Sequence, residues 1–245
     1  MKPRLLCLLA LSGALLAGTT VAAQPDFNSV WSRYPDPNGG RDPRFAEETP
    51  PPGGEPPLRE PYATAYKLAN KKRLAAEAAG RPLADNLTRC LPEGMPNMMQ
   101  DQIEIVQTPK KILVLVEFLM QARRIFVNEK MPPPDEISPN FNGYSIGRWE
   151  GETLVVETRG VREDVTIWPW QIPHSSEMVM TERWRLTGPD LMENQITIVD
   201  PKVFTRPYRY TYGYKKDPVN LGEYVCENHR DVIDAHGQQD MRIDP

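Results

Sequence analysis

The chain has 245 residues, 40% of them hydrophobic, a formal net charge of −4 and no long basic stripe. That length suffices for one sizeable domain with its own core, and the charge balance argues against nucleic acid as a partner. Beyond the N-terminus the longest apolar run is residues 112–116, bounded by Lys111 and Glu117, well short of the roughly 18 residues a membrane helix needs, so no membrane span is expected.

Lys2 and Arg4 open the chain, residues 5–17 form an apolar run, and Val21-Ala22-Ala23 places small residues before a cleavage point. This is the pattern of a secretory signal peptide over residues 1–23. The mature protein is then expected to start near Gln24 and to be periplasmic or secreted. Removing Lys2 and Arg4 from the 29 basic residues leaves about −6 against 33 acids. Cys7 leaves with the signal. An oxidising compartment and two remaining thiols favour a Cys90–Cys226 disulfide over two buried free thiols.

Residues 24–58 are rich in Pro, Gly and charge and read as an extended arm. Within it Phe27 and Trp31 form an apolar island able to dock onto the body. The rest, 59–245, reads as a single β-rich domain with a leading helix over 59–80. Pro61 suits a first turn, Ala, Lys and Arg follow, and Gly80-Arg81-Pro82 stops the helix. Its apolar side is small, as for a helix lying outside a larger body. From residue 102 the pattern is that of strands, at 103–108, 111–118, 123–127, 145–149, 153–158, 178–186, 191–199 and 204–214. The turn Glu150-Gly151-Glu152 marks the clearest hairpin, and Trp168-Pro169-Trp170 lies in an aromatic loop. Short connections between many strands imply a mainly β fold, an antiparallel meander forming a closed or strongly curved barrel. An open sandwich is the alternative.

Alternation along a strand places every second side chain on one face. Over 178–186 one face carries Met178, Met180, Glu182, Trp184 and Leu186, so Glu182 is a carboxylate among apolar groups. Over 191–199 Asn194 sits beside Met192, Ile196 and Ile198. Over 204–214 Arg206 shares a face with Phe204, Tyr208, Tyr210, Tyr212 and Tyr214. If these faces line one interior, Trp184, Asn194, Arg206, Tyr208 and Tyr210 form a small-molecule site. The competing reading is a structural Glu182–Arg206 pair that fixes strand register, because a buried charge needs a partner whatever its purpose.

His174 lies in the aromatic loop, with Glu177 three residues on. A histidine there is a candidate general acid or base, oriented by Glu177 or Glu182; the plainer reading is a loop histidine bonded to backbone. His229 and His236 read as polar wrapping. No Cys-x-x-Cys, paired histidines, dinucleotide fingerprint, phosphate loop or Gly-x-Ser-x-Gly occurs, so neither a metal nor a cofactor is expected. Asn86-Leu87-Thr88 fits a glycosylation sequon, with an unmodified turn as the alternative.

The run Gly143-Tyr-Ser-Ile-Gly-Arg-Trp-Glu-Gly-Glu-Thr-Leu-Val-Val-Glu-Thr158 resembles a signature of uncharacterised exported bacterial proteins. Cys90-Leu-Pro-Glu-Gly-Met-Pro96, residues 173–177 and 181–183, Ile198-Val-Asp-Pro201 and Glu223-Tyr-Val-Cys-Glu-Asn228 look like further pieces of it. The resemblance covers most of residues 85–230. It implies a secreted, mostly β domain and brings no catalytic residues to transfer. Phe27 to Trp31 and the meander also look like lipocalin-type barrels, an architectural likeness that does not fix function.

Three functional readings result. The first is a secreted or periplasmic protein binding a small hydrophobic or aromatic molecule in a β-barrel cavity. The second is a cofactor-free lyase, isomerase or hydrolase using His174 with Glu177 or Glu182. The third is a structural or interaction role at the envelope.

Overall fold

The computed structural model describes residues 24–35, 55–81, 83, 84, 86, 89–167, 171–226, 231–233, 235–237 and 239–241. Nine strands close into one barrel in chain order. They are β1 (Ser29–Arg33), β2 (Ile103–Gln107), β3 (Lys111–Val116), β4 (Gln121–Val127), β5 (Tyr144–Glu150), β6 (Thr153–Arg159), β7 (Val179–Gly188), β8 (Leu191–Val199) and β9 (Tyr208–Asp217). A separate pair, β10 (Asp231–Ile233) and β11 (Gln239–Met241), forms its own small sheet. The expected mainly β barrel is what the sequence folds into.

The strands form where burial alternates with period two, as in β4 and β8, so one side of each strand packs inward and the other meets solvent. Neighbours are antiparallel with one exception. β4 and β5 run parallel, Ile125 opposite Ser145, and parallel neighbours require a crossover, which residues 128–143 provide. The β5–β6 turn is tight, with Gly151 at φ +60°. On β6 Val155 faces outward yet is only 1% exposed. Its register partners are Arg148 and Arg183, and both donate to Glu150, at 2.8 and 2.9 Å, so their aliphatic stems cover the valine.

The region expected to be an arm behaves differently at its start. Residues 29–33 are a barrel strand, pairing with β2 on one side and β9 on the other and so closing the ring. Phe27 and Trp31 are fully buried. Phe27 stacks on Trp149 at 5.8 Å and meets Trp184 edge-on at 6.2 Å, while Trp31 Nε1 donates to the Phe27 carbonyl at 2.8 Å. Five residues give too short an alternation to be read beside so proline-rich a neighbour. The signal segment 1–23 and the Pro/Gly-rich centre 36–54 lie outside the described residues.

The helix α1 (Tyr62–Ala78) buries only Tyr66 and Ala76, as expected of a helix outside the barrel. No described helix is long and apolar enough to cross a membrane. Cys90 and Cys226 are bonded, with Cα atoms 5.8 Å apart.

Residues 93–100 enter the barrel as a plug. Met95, Met98 and Met99 are fully buried. The Tyr214 hydroxyl donates to the Met99 carbonyl at 2.5 Å, and Asn97 Nδ2 donates to the Thr166 carbonyl at 2.8 Å. Gly94, at φ +73°, sits where a Cβ would collide with the Phe141 carbonyl oxygen. The loop between β6 and β7 completes the cover, burying Val161, Val165, Ile167 and Ile172.

Candidate functional site

Five consecutive strands each place one polar side chain inside the barrel. Arg123 (β4), Ser145 (β5), Thr158 (β6), Glu182 (β7) and Asn194 (β8) are all at most 1% exposed. Arg123 and Glu182 form a bidentate ion pair. Nη1 donates to Oε1 at 3.2 Å and Nη2 to Oε2 in a shorter contact. The remaining guanidinium N–H groups go to Ser145 Oγ at 3.2 Å, Thr158 Oγ1 at 2.9 Å and Met99 Sδ at 3.7 Å. All five donors of the arginine are therefore spent. Glu182 Oε1 also accepts from Trp184 Nε1 at 3.2 Å and Asn194 Nδ2 at 3.0 Å.

This corrects one sequence expectation. Arg206 is exposed and is not the partner of Glu182. β9 begins only at Tyr208. Before it, the Phe204 and Val203 amides turn back onto Asp200, the Thr205 amide donates to the Pro57 carbonyl, and Pro207 has no N–H to give a ladder. Alternation counted back through residues 204–207 therefore assigns a loop residue to the interior. The cation that does face Glu182 lies on β4, where Gln121, Arg123, Ile125 and Val127 share the buried face. The same alternation marks Arg123 within the 123–127 strand, where it shares its parity with Ile125 and Val127.

Trp184, Asn194, Tyr208 and Tyr210 do converge in the interior with Glu182. Tyr208, Tyr210, Tyr212 and Tyr214 form an inward ladder on β9, each at most 6% exposed. Their rings are 5.6 Å apart between Tyr208 and Tyr210 and 5.1 Å between Tyr210 and Tyr212. Burial pushes the Tyr208 and Tyr210 phenols upward, and Tyr212 and, for Tyr210, the nearby Glu182 charge act the same way. Both therefore remain neutral O–H groups. Their hydroxyls and Asn194 Oδ1 are buried and have no partner among the described residues. Each such group costs about 1–3 kcal/mol if nothing meets it, so three in one interior require a partner, water included, beyond the described side chains.

His174 and the two carboxylates proposed to orient it do not form a hydrogen-bonded set. His174 is 4% exposed, and its Nδ1 meets the Ser175 carbonyl at 3.0 Å. A carbonyl accepts, so Nδ1 carries the proton in the neutral ring and Nε2 presents a lone pair, which has no partner among the described residues. Glu177 is exposed and pairs with Lys202 at 2.9 Å. Glu182 is held by Arg123. The acids whose charge reaches His174 are instead Glu163 and Asp164. Glu163 is kept low chiefly by the Ser176 amide, and Asp164 chiefly by Arg162. Residues 168–170 and His229 lie outside the described residues. No group of three or more His, Cys, Asp or Glu side chains suited to a metal comes together among the described residues.

A second polar cluster sits where the plug meets the barrel wall. Arg33 lies 3.8 Å above the Tyr212 ring and acts on Asp101, which is hydrogen-bonded to Glu93. Burial raises the Asp101 carboxyl above its usual range, and the Glu93 bond and Arg33 oppose this. The neutral form is thus favoured in the fold. Its stabilising share is complete below about pH 4 and is lost as pH rises through the raised value. Asp101→Asn is neutral throughout, so its melting temperature is expected to gain on the wild type as pH increases from 4 to 8. Parallel melting curves over that range check this; a gap that stays constant or narrows rejects it.

Compared with known proteins, the chain matches no family model and no curated protein.

Proposed function

We propose that this is an exported protein, of the kind its 143–158 run resembles, whose barrel binds a small hydrophobic or aromatic molecule. The observation that carries the reading is the inner wall of β8 and β9, where an aromatic ladder is interrupted by three buried polar atoms without partners. Such a mixture of apolar surface and a few directed polar groups is what small-molecule sites are built from. The N-terminal signal pattern and the Cys90–Cys226 bond support export.

A panel of apolar and aromatic compounds tests it by thermal shift. A ligand at about 100 times its Kd stabilises by about 2.7 kcal/mol, which for a chain of this size is a rise of about 5–10 °C. Quenching or a shift of Trp184 emission is expected alongside. A full panel that moves neither readout rejects the proposal.

A second reading, an acid–base enzyme without a cofactor, draws on one observation, the unpartnered Nε2 of buried His174. A compound that binds and is recovered chemically unchanged after prolonged incubation counts against it.

A further inference from the structure

We infer that the ligand of this barrel is an uncharged hydroxyl compound, a phenol or alcohol on an apolar frame, and that Asn194 selects for it; the inference rests on the binding reading above. Asn194 is fully buried on β8, opposite Trp184 of β7 and Tyr212 of β9. Its amide has only one sensible orientation. Glu182, ion-paired with Arg123, can only accept, so the group 3.0 Å from Oε1 is the Asn194 nitrogen and Oδ1 is the oxygen left over. That oxygen asks for a donor.

The charges in this interior are already used. Arg123 spends every N–H within the protein, and its pairing with Glu182 leaves the belt neutral. Among the described residues a ligand carboxylate or phosphate finds no free cation there, since Arg33 above Tyr212 is engaged with Asp101; it meets Asn194 Oδ1 acceptor to acceptor, and lies within the field of Glu182. A ketone or ether takes a bond from the Tyr210 hydroxyl but gives Oδ1 nothing. A hydroxyl does both, donating to Asn194 Oδ1 and accepting from Tyr210, which is buried on the adjacent strand diagonal to Asn194, since Asn194 pairs with Tyr212 and Ile196 with Tyr210. The tilted rings of Tyr208, Tyr210 and Tyr212 supply a face for a flat apolar frame.

The test keeps the frame constant and changes the head. Calorimetric titration of the full protein with 2-naphthol, 2-methoxynaphthalene and 2-naphthoate is expected to show the naphthol binding at least about 10-fold more tightly than either of the others. Asn194→Leu is expected to bring the naphthol-to-ether ratio close to one. Tyr210→Phe keeps the ring and removes only an unpartnered hydroxyl, so it folds; because naphthol and ether both accept from that hydroxyl, it is expected to weaken both about 3-fold or more with their ratio unchanged, and it decides the matter if Asn194→Leu fails to fold. Equal affinities for all three heads, or preference for the naphthoate, overturn the hydroxyl inference while leaving the barrel as a binding site. Unchanged naphthol affinity in Tyr210→Phe together with either an unchanged naphthol-to-ether ratio or failure to fold in Asn194→Leu also overturns it. Failure of all three probes and of the wider panel means the polar atoms serve water alone, and both the inference and the binding reading fall.

Discussion

Arg123→Met is expected to destabilise the protein by about 3–5 kcal/mol, while Arg206→Ala is expected to change stability by no more than about 0.5 kcal/mol. The two arginines differ in environment rather than chemistry. Arg206 is exposed on a loop. Arg123 is 1% exposed and bonds side chains on three other barrel strands and the plug. Its removal leaves Glu182 a buried carboxylate without a counter-charge and takes the donor from Thr158 and Ser145. Adding Glu182→Gln removes the stranded charge, and the amide that replaces the carboxylate still offers an oxygen to Trp184 and Asn194. The double variant is therefore expected to recover more than half of the loss, since replacing both partners of a buried pair costs far less than removing one. Urea unfolding of the singles and the double checks this. A double variant no more stable than Arg123→Met would show that the arginine acts through packing and not through the ion pair.

Loss of the Cys90–Cys226 bond is the second large effect. The bond closes a loop of 136 residues, for which the chain-entropy model gives about 5 kcal/mol and removal of a native disulfide typically costs about 2–5 kcal/mol. Cys90 lies just ahead of the plug, and Cys226 follows a segment that crosses the β3–β4 turn. There the Gly222 amide donates to Glu117 at 2.7 Å, and Tyr224 meets Phe118 edge-on at 4.9 Å. Reduction is therefore expected to lower the melting temperature by about 5–15 °C and to expose residues 218–226 to protease before the barrel itself unfolds. Cys90→Ser/Cys226→Ser should reproduce the effect without reductant. Equal melting temperatures for oxidised and reduced protein would contradict it.

Strand alternation made much of this interior readable from the residues. Glu182, Trp184, Asn194, Tyr208 and Tyr210 each stand at an even spacing from large apolar neighbours, and each is buried inside the barrel. The same rule failed where the strand itself was misjudged. Residues 204–207 follow a turn and precede a strand, so Arg206 took a parity it does not have. Arg123 shares its parity with Ile125 and Val127, but the adjacent Arg124 puts a second cation on the other face, so the pair reads as polar and does not single out the buried arginine. β1 was hidden because its five residues adjoin a Pro/Gly-rich stretch. The methionine plug has no period at all: Met95, Met98 and Met99 are buried by tertiary contacts, which local sequence does not record. For His174, Glu177 and Glu182, nearness along the chain gave no guide to nearness in space, because a turn and the pleat of β7 send the three side chains to different surroundings.

The ring is joined by its two ends in sequence. β1 and β9 are adjacent, and Ser32 Oγ donates to Asp217 at 2.6 Å across a separation of 185 residues. The eight strands β2–β9 can zip together through neighbouring or nearby segments, but β1 can close the ring between β2 and β9 only once β9 exists. Until β1 docks, β2 and β9 are open edges with unpaired amides and carbonyls, the kind of surface on which chains add to one another. Non-local pairing of this sort also slows folding. The window between synthesis and closure is thus an aggregation-prone stage, and a short strand of five residues, β1, is what brings it to an end.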